Sequence, residues 1–132
     1  MTERTLVSTG TPWEKFVGYS RAIRVGSLVE VAGTVAADEH GQVVGSGDPY
    51  GQTRFILSKI ERALKQVGAE LTDVVRTRIY VTNMAYFEGV GRAHGEVFGE
   101  IRPASTLVQV SALASPDFWV EIEVSAIVSE SC

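Results

Sequence analysis

Two glutamates near the end of the chain, Glu121 and Glu123, stand two residues apart in the run Trp119-Val120-Glu121-Ile122-Glu123-Val124. Strand side chains repeat every two residues. A strand here therefore puts Val120, Ile122, Val124, Ala126 and Val128 on one face and Trp119, Glu121, Glu123 and Ser125 on the other. Carboxylates opposite the apolar face must meet water, cations or a ligand. At the edge of a sheltered cleft, Glu121 can orient or deprotonate a water. The competing role is structural, an ion pair across the sheet with Arg76 or Arg78. His94 has a pKa suited to proton transfer near neutral pH. It stands beside Arg92 and Glu96, and Glu96, two residues on, does not share its helix face. Its competing reading is a surface or interface histidine. His40, in a loop with Asp38 and Glu39, reads as solvated. No His, Cys and carboxylate set has metal-ligand spacing, so neither a metal nor a cofactor is expected. Gly26, Gly33, Gly41 and Gly45 form no phosphate-binding pattern and read as turn glycines. There is no nucleophile elbow and no Ser-His-Asp order.

These groups need a frame. Thr5-Leu6-Val7 suits a short edge strand, broken at Gly10-Thr11-Pro12. Ser20 to Val25 and Leu28 to Ala32 read as a hairpin turning at Gly26-Ser27. Asp48 as N-cap and Pro49 as first residue predict a helix to about Val67, ended by Gly68. Thr53, Ile56, Leu57, Ile60, Leu64 and Val67 form its apolar stripe. Val74 to Thr82 is β-branched and alternating, with Val75, Thr77, Ile79 and Val81 on one side and Arg76, Arg78 and Tyr80 on the other. A second helix spans Ala85 to Phe98 and ends at Gly99. It is weakened by Gly89, Gly91 and Gly95, at roughly 1 kcal/mol each against Ala. Arg102 to Leu113 then reads as a strand joined to the last one around Ser115-Pro116-Asp117.

This order predicts an α+β fold, a mostly antiparallel sheet with two helices packed on one face. The other face carries Arg76, Arg78, Tyr80, Glu121 and Glu123, with Trp119 and Leu107 among the apolar groups near it. Such a face is either solvated or a subunit interface with paired charges, and the mixture favours the interface.

The length of 132 residues suits one domain, 1–132, with a single core. A formal net charge of -4 gives nonspecific nucleic-acid binding no global electrostatic support. Cys132, alone and at the last position, forms no internal disulfide and is a poor catalytic candidate. The start Met1-Thr2-Glu3-Arg4 is not followed by the apolar stretch of a signal peptide, and no apolar run approaches a membrane span. A soluble cytoplasmic protein without a membrane partner is the expectation.

Several segments in order carry a resemblance. They are Gly18-Tyr19-Ser20, Val31-Ala32-Gly33-Thr34, Val67-Gly68-Ala69, the stretch Leu71 to Thr77 with Tyr80-Val81, Arg102-Pro103-Ala104, and Val120-Glu121-Ile122-Glu123. Over nearly its whole length the chain resembles the Rid (YjgF-like) family of reactive-intermediate deaminases. The resemblance implies a chorismate-mutase-like subunit and a homotrimer with three small-molecule clefts between subunits. It also implies hydrolysis of reactive enamines and imines to keto acids and ammonia. In that chemistry an arginine holds the substrate carboxylate by a bidentate contact, a glutamate positions water, and a tyrosine helps close the site. Tyr19 matches the family tyrosine and Glu121 the family glutamate. Gly33, Thr106 and Leu107 fall where the family's cleft wall lies.

The arginine does not carry over. Where the family has Pro-Ala-Arg, this chain has Pro103-Ala104-Ser105, and Gly91 stands where deaminating members often have asparagine. Arg102, three residues before Ser105, points to the opposite face on a continuous strand. Arg92, next to Gly91, is the more plausible replacement. Losing the bidentate arginine removes a contact worth about 1.5–3 kcal/mol, so a 2-imino acid should bind weakly. Two functions follow. One is a Rid-like hydrolase of another reactive C=N metabolite, with Glu121 on water, Tyr19 and Ser105 on the ligand, and His94 or Arg92 supplying specificity. The other is a noncatalytic trimer that binds a small metabolite. An endoribonuclease that inhibits translation, another label of the family, fits worst, because the chain is acidic and lacks aromatic stacking platforms between basic residues.

Overall fold

Alternating apolar runs and glycine turns cut the chain into strands β1 (Arg4–Val7), β2 (Ala22–Val25), β3 (Leu28–Val35), β4 (Val74–Val81), β5 (Ala104–Gln109) and β6 (Val120–Ile127), with helices α1 (Pro12–Val17), α2 (Pro49–Gln66) and α3 (Phe87–Phe98). The computed structural model describes residues 3–129. Met1, Thr2 and Cys132, on which the start and the lone cysteine were read, lie outside the described residues. The strands form one sheet in the order β1-β2-β3-β6-β4-β5. All pairings are antiparallel except β4 with β5. The architecture is α+β, as expected. No helix among the described residues is long and apolar enough to cross a membrane.

The core lies between the sheet and the long helices. β6 contributes Val120, Ile122, Val124 and Ala126, and α2 contributes Ile56, Leu57, Ile60 and Leu64, all buried. Thr53 and Val67 complete the stripe read from the sequence. Asp48 is the N-cap of α2, as expected, in extended conformation, although its side chain makes no capping hydrogen bond. Pro49 at the helix start needs no donor there. Gly68 follows the helix with φ +77°, the left-handed conformation that glycine adopts without a Cβ penalty. α3 lies against α2, and Gly89 explains one of its helix-weakening residues. A Cβ there would sit 3.3 Å from the Tyr50 nitrogen, so the missing side chain allows the close approach.

Four expectations change. The break at Gly10-Thr11-Pro12 is followed by α1, whose buried Glu14 ties the turn together by accepting from Ser8 Oγ at 2.7 Å and from Thr9 N at 3.3 Å. β4 carries a register shift between Val74 and Arg76, so Val74 is buried and Val75 is exposed, before Thr77, Ile79 and Val81 resume the inward face. The second helix begins with a 3-10 turn at Met84–Tyr86. Most consequentially, β5 and β6 are not a hairpin. β5 runs parallel to β4 at the sheet edge, with α3 as the crossover that parallel pairing requires, and β6 inserts between β3 and β4. Buried Gln52 holds the connecting segment. Its Nε2 donates to Asp117 O at 2.9 Å, and its Oε1 accepts from Trp119 N at 2.9 Å.

Candidate functional site

The candidate residues fall into two groups on opposite faces of the sheet. On the face away from the long helices, β6 presents Glu121 opposite Tyr80 of β4 and Val35 of β3. β3 shifts register between Val31 and Thr34. Gly33 lies in that irregularity, and any Cβ on it would overlap the Glu121 carboxylate. Gly33 is thus a strand glycine required by close approach, not a turn glycine. Burial raises the Glu121 pKa; nearby Arg21 offsets this and Glu123 adds to it.

The ion pair weighed for Glu121 belongs to Glu123 instead. Arg78 Nη1 lies 3.9 Å from Glu123 Oε2, and Tyr80 OH donates to Glu123 Oε1 at 2.5 Å. Arg76 donates to Thr106 Oγ1 at 2.6 Å. Among the described residues Glu121 has no salt-bridge partner.

Arg21, overlooked in the sequence, organises this group. Its Nη1 donates to Gly33 O at 2.8 Å and to Thr34 Oγ1 at 2.9 Å, which holds the β3 irregularity in place. Its Nη2 donates to Tyr19 OH at 3.4 Å, and the guanidinium lies 5.6 Å from the Tyr19 ring centroid. Tyr19, Gly33 and Glu121 therefore converge as expected, with Arg21 as the shared neighbour. The available signal was proximity, since Arg21 is two residues from Tyr19, just before β2.

On the helix-covered face, parallel register sets Ser105 of β5 beside Thr77 of β4. Thr77 is fully buried. Its Oγ1 is 2.7 Å from Ser105 Oγ and 2.9 Å from His94 Nε2, so one hydroxyl links the edge strand to α3. The His94 ring packs at 4.8 Å on Phe98. Burial lowers the His94 pKa and favours neutral imidazole. His94, Gly95, Phe98, Gly99, Arg102 and Pro103 line an open depression of ≈ 320 Å³. Thr77 was legible as a core residue but not as a link, because the contact depends on the β4–β5 pairing.

Other expected residues separate. Thr106 faces the Glu121 side, where Arg76 holds it, whereas Leu107 packs against the core, so the two do not line one wall of a single chain. Arg92 stacks over Tyr50 at 4.2 Å, and Tyr50 OH donates to Glu96. Arg92 is on a helix face other than that of His94, which removes it as a stand-in beside Ser105. Gly91 has open space around its Cβ position. Arg102 precedes β5 with φ +59°, so it is not part of a continuous strand, and it borders the depression next to His94. The alternation argument for Arg102 therefore fails. Among the described residues no three His, Cys, Asp or Glu side chains are grouped to hold a metal ion.

Residues 11–128 match the family model described as Endoribonuclease L-PSP. The chain is 34% identical to the 3-aminoacrylate deaminase RutC of Acinetobacter baylyi over 122 residues, 92% of this chain and 95% of that one. Among solved structures it resembles Rv2704 of Mycobacterium tuberculosis, described as a member of the YjgF/YER057c/UK114 family. That match has TM-score 0.87 and 49% identity and covers 96% of this chain and 100% of the other. A putative endoribonuclease, TM0215 of Thermotoga maritima, matches with TM-score 0.81 and 29% identity over 95% and 93% of the two chains.

Proposed function

The chain belongs to the Endoribonuclease L-PSP (YjgF/Rid) family, and on that premise we propose that it is a cytoplasmic homotrimer whose clefts between subunits hydrolyse a reactive imine, enamine or related metabolite other than a simple 2-imino acid. The observation that carries this reading is Glu121, a half-buried carboxylate pressed against Gly33, with no ion-pair partner among the described residues. In the proposed reaction Glu121 accepts a proton from water while the water oxygen adds to the C=N carbon. The nitrogen takes that proton and the one the added hydroxyl loses as its oxygen forms the C=O bond, the C–N bond breaks, and ammonia leaves. Tyr19 and Ser105 contact the ligand. Since Ser105 and Glu121 lie on opposite faces of one sheet, a single ligand reaches both where surfaces of two protomers meet, which supports a site between subunits.

Ser105 argues for an uncharged ligand end, because a hydroxyl cannot replace a guanidinium fork for a carboxylate. The RutC relative's description as a deaminase supports C=N chemistry. The formal charge of -4 speaks against RNA as the substrate despite the family's other name. Ser105 also supports a second reading, a noncatalytic trimer that binds a small metabolite.

The test is ammonia release from generated imines and enamines, with neutral and carboxylate-bearing members compared. Glu121→Gln should lose about 10²–10⁴-fold in rate with its oligomeric state unchanged. An unchanged rate in Glu121→Gln would remove Glu121 from the mechanism. Saturable binding with no turnover by the unaltered protein would establish the second reading.

A further inference from the structure

We infer that His94, Thr77 and Ser105 form a proton wire, leading from the solvent-filled depression beside α3 to a ligand nitrogen at the edge of β5. The inference deepens the proposed hydrolysis by naming its proton donor and its ligand end, an uncharged C=N or amine nitrogen.

Hydroxyl valence sets how the wire works. Thr77 Oγ1 lies within hydrogen-bond distance of both His94 Nε2 and Ser105 Oγ, at 2.9 and 2.7 Å, yet it has one proton. Only two ordered arrangements satisfy all three groups. In the first, His94 Nε2–H donates to Thr77, Thr77 donates to Ser105, and the Ser105 proton points outward to a ligand. In the second, Ser105 donates to Thr77, Thr77 donates to Nε2, and the His94 proton is on Nδ1.

Giving a proton to the ligand converts the first arrangement into the second. The Ser105 O–H bond breaks as the ligand N–H bond forms. The Thr77 proton moves to Ser105 Oγ, and the Nε2 proton moves to Thr77 Oγ1. His94 Nδ1 then takes a proton from hydronium or a buffer acid in the depression. The three side chains end neutral, and the ligand nitrogen carries the proton and positive charge that the hydronium or buffer acid gave up.

The surroundings suit transfer. Thr77 is fully buried, so no water competes for its hydroxyl. Ser105, on the edge strand, is exposed. His94 borders the depression through which solvent reaches it. The ring meets Thr77 from β4 and Phe98 from its own helix, and among the described residues no carboxylate is paired with it to fix it as imidazolium. Burial of the ring further disfavours its charged form.

The test reads the imidazole nitrogens of His94 by 15N NMR in the full-length protein. Ser105→Ala should shift the Nε2 resonance and the tautomer ratio of His94, although Ser105 is not hydrogen-bonded to the ring, because removing the last hydroxyl removes one of the two arrangements. Thr77→Val should abolish that dependence. It should also slow turnover about 10²-fold with a reduced solvent deuterium isotope effect. If Thr77→Val does not fold, the exposed Ser105→Ala variant still decides the matter. His94 resonances unchanged in Ser105→Ala overturn the wire, whatever the protein hydrolyses. A shift in Ser105→Ala with no turnover by the unaltered protein supports the wire and sinks the hydrolysis reading instead.

Discussion

At the scale of single residues, the chemistry concentrates where a side chain is held against its solvation preference. Burial raises the Glu121 pKa. Below the ordinary carboxylate range the group is protonated whether the chain is folded or not, and folding carries no penalty. As pH rises through the raised folded pKa, the native state must ionise a half-buried carboxyl, and stability falls. Glu121→Gln should therefore melt higher than the unaltered protein at pH 7, with the difference closing below about pH 4; equal melting temperatures at both pH values would show that burial costs Glu121 nothing. Gly33→Ala should cost about 1–3 kcal/mol, because the new methyl must displace the Glu121 carboxylate. Its turnover should fall with that of Glu121→Gln, measured side by side. The sequence exposed Glu121 through alternation alone. That it has no ion-pair partner among the described residues was not legible, because choosing between Glu121 and Glu123 as partner of Arg78 requires the register of β6 on β4.

At the scale of elements, the periodicity of α2 and β6 was read correctly, because one face of each is deeply buried, whereas the register shift of β4 left Val75 exposed. The stripe of α2 and the alternation of β6 follow from this, since a slip would drive apolar side chains into water. Pairing was another matter. Two strands around a Ser-Pro-Asp turn suggest a hairpin, but β4 takes both flanks, and nothing local in β5 records that its partner comes before α3. Gln52 shows what stabilises the longer path. Gln52→Leu leaves Asp117 O and Trp119 N without their side-chain partner, and each orphaned group costs about 1–3 kcal/mol. Urea unfolding should show a loss on the order of 3 kcal/mol, whereas a loss under 1 kcal/mol would mean water replaces the amide. A buried glutamine on an apolar stripe was the available signal, though not what it would bind.

At the scale of the whole molecule, the sheet face away from the helices is the face on which the proposed assembly would meet. It carries Arg78 and Glu123 as a half-exposed pair and Arg76 on Thr106. Elsewhere on the surface Trp13, Phe16 and Val17 of α1 expose 66%, 89% and 68% of their area, far more apolar surface than a solvated helix needs. The proposed trimer should appear in sedimentation or light scattering as three times the chain mass. Arg78→Glu, which sets like charges beside Glu123, should weaken that assembly without changing the helical content of the chain. A trimer that survives the substitution would place the interface elsewhere. The sequence by itself determined the α+β class, the core stripes and the departure at Ser105, because side-chain type and spacing act locally. Only the tertiary structure decided that Arg21 braces Gly33, that Glu123 rather than Glu121 pairs with Arg78, and that Thr77 joins His94 to Ser105. Each of these is a contact between strands or helices far apart in the chain, and its geometry comes from sheet order and register.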